Sequence, residues 1–437
     1  MSHHAITFND LPEGGEKFDT AKGSKLIGAF LVTGLIGLVG SLWKYSTDSD
    51  SFAYSWLFAV FLAFTVVVGA CFWMLLHSAS NSAWGVAIRR IWENMSSVVL
   101  VVFLLALPLL TVKKLQAPLW EWMGLERQAI ENVEAHGGDV KQALHHMAEA
   151  NPHVHVLLSK FGYLNLRGWS IRFVIYFAVL WFIGRTLRRK SVAQDQDGDI
   201  KHTIKARAFS CIMLFPFALT ATFASVDWLM SLDFSWFSTM WGVYIFAGCA
   251  WVSMAITILT VTWLRSLGYL NHIVTDEHYH LMGKLLFAFT VFWAYIAFSQ
   301  YFLIWYANIT EETRFFLTRN TESWRSLSIF ILFGHFVIPF ILLLSQPRKK
   351  QTAKMVWICL WIIAMHIVDI YWNVIPERGP SVTHGETWII PGAWVGDVFA
   401  LLAVVGIVGY VFLRGLGKSS LYPWRDPRLL ESINVVN

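Results

Sequence analysis

Charge is scarce in this sequence: 14% of its 437 residues are Asp, Glu, Lys or Arg, where a soluble domain carries roughly a quarter. With 56% hydrophobic residues and a mean hydropathy of +0.51, a water-soluble fold is excluded. Cysteine is scarcer still. Cys71, Cys211, Cys249 and Cys359 each fall inside an apolar stretch, where a buried small apolar role is expected, and none forms CxxC or CxxCH. An iron-sulfur cluster or c-type haem held by this chain alone is therefore not expected. The first 25 residues lack the apolar run of a cleavable signal peptide and read as a solvated tail. No basic groove interleaved with aromatics is visible, so nucleic acid is not an expected partner.

What is present is length and apolarity. A spanning helix needs about 20 mostly apolar residues, and ten segments qualify: 26–43, 56–78, 95–112, 168–187, 206–226, 238–264, 282–308, 325–345, 354–373 and 393–414. The chain thus reads as an all-α polytopic membrane protein. Residues 1–25 form a first tail, 26–112 helices one to three, 113–167 a long loop with short helices, 168–414 helices four to ten, and 415–437 a second tail. One side of this topology collects 19 Lys and Arg and the other 10, which by the positive-inside rule places both termini in the cytoplasm. Pro108, Pro216 and Pro339 read as kinks without breaks. In the long loop, Asp139 follows Gly137 and Gly138 and is a candidate cap for a helix carrying Val140, Leu144 and Met147. The loop histidines (His136, His145, His146, His153, His155) match no standard metal spacing.

An internal repeat is visible. The second and sixth helices share a patch of small residues (Gly69, Ala70, Cys71 and Ala247, Gly248, Cys249), and the fifth and ninth carry VDWLM at Asp227 and VDIYW at Asp369. Four helices separate each pair, which predicts two parallel four-helix bundles, helices two to five and six to nine, with the first and tenth peripheral.

Ionisable groups inside a membrane are costly and mark sites by default. His366 and Asp369 share a face of the ninth helix at i, i+3. His335 is expected near the midplane and His366 in the outer half, so with His77 at an inner end no equal-depth pair of haem ligands is expected. Ser253, Thr257 and Thr260 form a stripe on the sixth helix, and Lys284 opens the seventh; these are candidates for a half-channel leading to the His-Asp pair. The plainer reading is that the hydroxyls bond back to their own helix and that His366 and Asp369 satisfy each other. Asp227 is a candidate proton acceptor, with Tyr54, Trp169 and Arg172 as neighbours that could frame a quinol; the plainer reading is an interfacial Asp that caps a loop.

The segments HHAITFNDLPEGGEKF, AIRRIWENM, ASVDWLMSLD and LYPWRDPRLLESINVVN give the chain, over essentially its whole length, a resemblance to the NrfD/PsrC-like membrane subunits of quinone-linked oxidoreductases. It is most similar to those of alternative complex III, a bacterial quinol:cytochrome c oxidoreductase. The resemblance implies two four-helix bundles in a bacterial cytoplasmic (inner) membrane. It implies menaquinol or ubiquinol as substrate of the complex, with oxidation near the outer face. It also implies a second NrfD-like subunit, multihaem c-type cytochromes carrying haem c, an iron-sulfur subunit carrying the clusters, and lipids as partners. The expected role is a subunit without its own redox cofactor that supports quinol oxidation and can conduct protons. A secondary transporter and a purely structural anchor stay open as alternatives.

Overall fold

Lipid offers the backbone no hydrogen bonds, so each apolar segment must satisfy its own amides as a helix. The computed structural model describes residues 6–378 and 393–435. Among them ten helices are long and apolar enough to cross a membrane: α1 Ser24–Thr47, α2 Ser49–Ala79, α3 Arg89–Thr111, α4 Leu166–Asp197, α5 Lys201–Trp228, α6 Trp241–Ser266, α7 Asp276–Ala307, α8 Trp324–Leu344, α9 Thr352–Arg378 and α10 Trp394–Lys418. The chain is an all-α multi-pass membrane protein. Several helices outrun their apolar cores because polar turns extend them into water. α4, for example, is capped by Asn165, whose side chain accepts the Gly168 N–H at 2.7 Å, and it stops only at Gly198, whose φ of 70° ends the helix.

Helices α2 to α5 pack among themselves, and so do α6 to α9; α1 lies against α10 at one side. The bundles meet chiefly through α2 and α6, whose apolar windows are 83% and 78% buried against 28–44% in the other eight. The repeated small-residue patches make this contact. A side chain at Gly69 would place its Cβ 2.0 Å from the Cys249 carbonyl, so close approach of the two backbones requires glycine there. Gly69→Leu is therefore expected to force the bundles apart, read as a loss of the folded, monodisperse protein in detergent.

An even number of crossings returns the chain to its starting side, and the tails meet there. Leu421 donates to the Glu16 carbonyl at 2.7 Å, and Ile6 to the Asn434 side chain at 3.0 Å. This side is the terminal face below. The other, the loop face, carries four short helices between α3 and α4: Lys113–Leu119, Glu121–His136, Val140–Ala150 and Pro152–Lys160. Asp139 caps the third of them and Leu144 is fully buried. Glu126 accepts the Leu166 N–H at 2.7 Å where α4 begins, and burial, offset in part by this bond, pushes its carboxyl above the usual range.

Two features differ from expectation. Cys211 is exposed on α5, unlike the buried Cys71, Cys249 and Cys359, because α5 buries only one side against its bundle. And α8 is not plain α-helix: residues Leu332–Val337 form a π segment. A π turn bonds each carbonyl to the amide five residues on, so Gly334 would need the N–H that Pro339 lacks. The Trp361 indole supplies it at 2.8 Å.

Candidate functional site

The π segment presents His335 to the interior of the second bundle. Its ring is fully buried and stacked between two indoles, Trp251 of α6 at 4.0 Å and 27° and Trp293 of α7 at 3.7 Å and 25°. Neither ring nitrogen has a hydrogen-bond partner among the described residues. The nearest carboxylate is Asp369 on α9, whose Oδ2 lies 4.0 Å from His335 Nε2. That gap is too long for a direct hydrogen bond and fits one made through a small shift or a water.

Asp369 is itself buried. Its Oδ1 accepts a short bond from the Tyr244 hydroxyl, in the first turn of α6, and a longer one from Asn373 Nδ2 at 3.4 Å. One turn earlier on α9, His366 points across to α2, with Nε2 3.0 Å from Thr65 Oγ1. The Thr65 hydroxyl already donates to the Leu62 carbonyl at 2.7 Å. With one hydroxyl proton to give, Thr65 must accept from His366, which assigns the Nε2–H tautomer and leaves the Nδ1 lone pair without a partner among the described residues. Gly248 of α6 makes room for this ring: a Cβ there would lie 2.9 Å from His366 Cε1. Gly248→Val is accordingly expected to displace the imidazole and break the Thr65 contact while the bundles still assemble, checked by an altered His366 ring resonance in labelled protein.

His335, His366 and Asp369 thus converge: a ring nitrogen of each histidine and a carboxylate oxygen all lie within 4.8 Å of one another. The two histidines, expected at different depths, meet through their side chains. Backbone depth was counted from the helix ends, but a mismatch of about one 5.4 Å turn is absorbed by two side chains reaching toward each other. The donor set could ligate a metal; tetrahedral zinc with Zn–N bonds of about 2.1 Å needs ligand atoms roughly 3.4 Å apart, and His335 Nε2 and Asp369 Oδ2 stand 4.0 Å apart. On the loop-face side the centre is closed by Arg319. Its guanidinium bonds the carbonyls of Phe315, Trp372 and Asn373 at 3.0–3.1 Å, pairs with Glu377 at 3.0 Å and stacks on the Phe315 ring at 3.5 Å.

The hydroxyl stripe of α6 is not joined to this centre. Ser253, Thr257 and Thr260 each donate back to their own helix, at 2.8, 2.7 and 2.8 Å. Ser253 and Thr257 also accept indole N–H groups, from Trp73 at 3.1 Å and Trp92 at 3.0 Å. An indole donates and cannot accept, so each contact ends a hydrogen-bond chain. Lys284 lies in the third turn of α7 and is exposed, turned away from the interior.

In the first bundle, Asp227 is brought together with Trp169 and Arg172. Arg172 grips its carboxylate with Nε at 2.7 Å and Nη2 at 3.0 Å, and the Tyr176 hydroxyl adds a bond at 2.5 Å. Trp169 donates to the Asp227 carbonyl at 2.9 Å. Three of the carboxylate's roughly four acceptor sites are thus engaged within the bundle, and the group works as a clamp between α4 and α5. Tyr54 is occupied elsewhere, donating to the Pro118 carbonyl at 2.6 Å.

Sequence reasoning did not find Tyr244, Thr65, Asn373, Trp251 or Trp293. Two carried a signal: Asn373 lies at i+4 from Asp369, and Trp251 stands two residues after Cys249 as Trp73 does after Cys71. No protein-family model matches the chain, and no curated protein matches it.

Proposed function

We propose that this chain is the integral membrane subunit of a respiratory quinol:cytochrome c oxidoreductase, and that the Tyr244, Asp369, His335 and His366 centre of its second bundle handles the protons of quinol oxidation. The observation that carries the proton role is the unpaired His335 beside a buried carboxylate. A buried polar group without a hydrogen bond costs on the order of 1–3 kcal/mol, so a pure anchor gains nothing by keeping one in its core. A proton held between Asp369 and His335 relieves that cost in either of two forms, carboxylic acid with neutral imidazole or carboxylate with imidazolium. Transfer between the forms leaves the net charge of the centre unchanged, which suits a water-poor interior. The indoles on both faces of His335 present their ring quadrupoles to the imidazolium when it forms.

The quinol and the partners rest on the family resemblance. In this reading the complex sits in a bacterial inner membrane with both termini cytoplasmic, beside a second NrfD-like subunit, multihaem cytochromes c and an iron-sulfur subunit, and it oxidises menaquinol or ubiquinol. The first bundle, with Asp227 clamped, is the structural half. Tagged chain drawn from its native membrane in mild detergent is expected to co-elute with c-type cytochromes, seen as haem c bands in a reduced-minus-oxidised spectrum. A colourless, solitary protein would instead favour a transporter.

A further inference from the structure

A small cleft lies on the terminal face between the ends of α2 and α4, the starts of α3 and α5, and the C-terminal tail. Its floor is apolar, with Met74 and Leu187, and its walls are polar, with His77, Ser78, Ser82 and Lys190 among them. Two carboxylates also reach it, Glu93 and Asp426, but both are engaged by one guanidinium: Arg89 lies 3.3 Å from the first and 2.9 Å from the second. Arg428, also in the wall, is paired with Glu431 at 2.6 Å. Lys190, by contrast, has no ion pair or hydrogen bond among the described residues, and the buried His77 leaves its Nδ1 unpartnered. The cleft therefore presents an ammonium without an ion-pair partner among the described residues, two serine hydroxyls and an imidazole above an apolar floor. It does so where the apolar part of α4 gives way to Arg188, Arg189 and Lys190.

We propose that this cleft binds the phosphate of an anionic phospholipid headgroup. A phosphodiester is a singly charged acceptor of several hydrogen bonds, which matches one free ammonium flanked by hydroxyl donors. The depth matches too, because the cleft opens where headgroups lie against the ends of spanning helices, and basic pockets between such ends are where anionic lipids settle. Inorganic phosphate would satisfy the same donors but would make no use of the apolar floor.

The test uses the full chain, stripped of lipid in detergent and offered bicelles of phosphatidylglycerol or phosphatidylcholine, with bound lipid counted by native mass spectrometry. Wild type is expected to retain phosphatidylglycerol over phosphatidylcholine, and Lys190→Glu to lower that retention at least about fivefold, since each cation at a headgroup site contributes about 1 kcal/mol. Lys205→Glu, an exposed position on the same face outside the cleft, makes the same change of charge and should leave retention unaltered. An unshifted melting temperature in phosphatidylcholine shows that Lys190→Glu still folds. Equal losses in the two variants would mean general attraction to an anionic surface and would overturn the site. Millimolar inorganic phosphate stabilising wild type, with phosphatidylglycerol no better than phosphatidylcholine, would overturn the lipid in favour of a soluble phosphate.

Discussion

Asp369→Asn is expected to give a chain that folds and assembles normally but moves fewer protons per electron, with turnover reduced on the order of a hundredfold, the lower range for loss of a positioned acid-base group. The substitution is nearly isosteric. The amide oxygen can still accept the Tyr244 hydroxyl, so the contact between α6 and α9 survives. What is lost is the carboxyl group that the proposed proton exchange with His335, 4.0 Å away, requires. His335→Gln removes the other partner and should reproduce the defect, and because the two act as one unit the double variant should be hardly worse than either single one. The measurement is the proton-to-electron ratio of the complex in vesicles, with assembly confirmed by its haem content. An unchanged ratio in both variants would remove the second bundle from the proton path.

The clamp on His335 adds a sharper form of the same result. Trp293→Phe keeps an aromatic face against the imidazole and should retain most activity, whereas Trp293→Leu keeps apolar bulk but removes the quadrupole. A cation-π contact in a desolvated site is worth about 2 kcal/mol, so the leucine variant should lower turnover on the order of thirtyfold. Equal losses of turnover in the two variants would show that only volume matters.

Why the architecture was legible while the centre was not follows from where each kind of information resides. Helix number depends on runs of about 20 apolar residues, which lie within single segments, and the bundle pairing depends on the repeated patches at Gly69 to Cys71 and Ala247 to Cys249, which survive as local spellings. His366 and Asp369 were readable as a pair because one helical turn joins them. Thr65 lies 301 residues from His366 and Tyr244 lies 125 from Asp369, so no local pattern announces either contact. The unpaired state of His335 is harder still to read, since it depends on a π turn that re-aims the ring and on two tryptophans from different helices. The hydroxyls of α6 misled for the opposite reason: their spacing is that of a lining, but membrane Ser and Thr bond back to the preceding turn, and that local bond prevailed. Asp227 drew attention as a base because its neighbours in space were uncertain. Yet Arg172 and Tyr176, four apart on one face of the fourth helix, already spelled a grip for a carboxylate.

That grip supports the largest expected effect on stability. Arg172→Met leaves the fully buried Asp227 carboxylate with Tyr176 alone, and breaking a buried pair from one side costs about 3–5 kcal/mol because the remaining charge stays desolvated. The side chain of Arg172 is 21% exposed, so water reaching the site puts the expected loss toward the lower end. It should appear as a marked fall in thermal stability in detergent, together with loosening of the loop face where Arg172 also holds the Tyr163 carbonyl at 3.0 Å. Removing both charges in Arg172→Met with Asp227→Leu should recover much of the loss, because no uncompensated ion then remains. If Asp227 were instead the proton acceptor of the complex, the double variant would be stable and inactive. As a clamp, it should be both stable and active, so turnover measured beside thermal stability in this one variant separates a structural first bundle from a catalytic one.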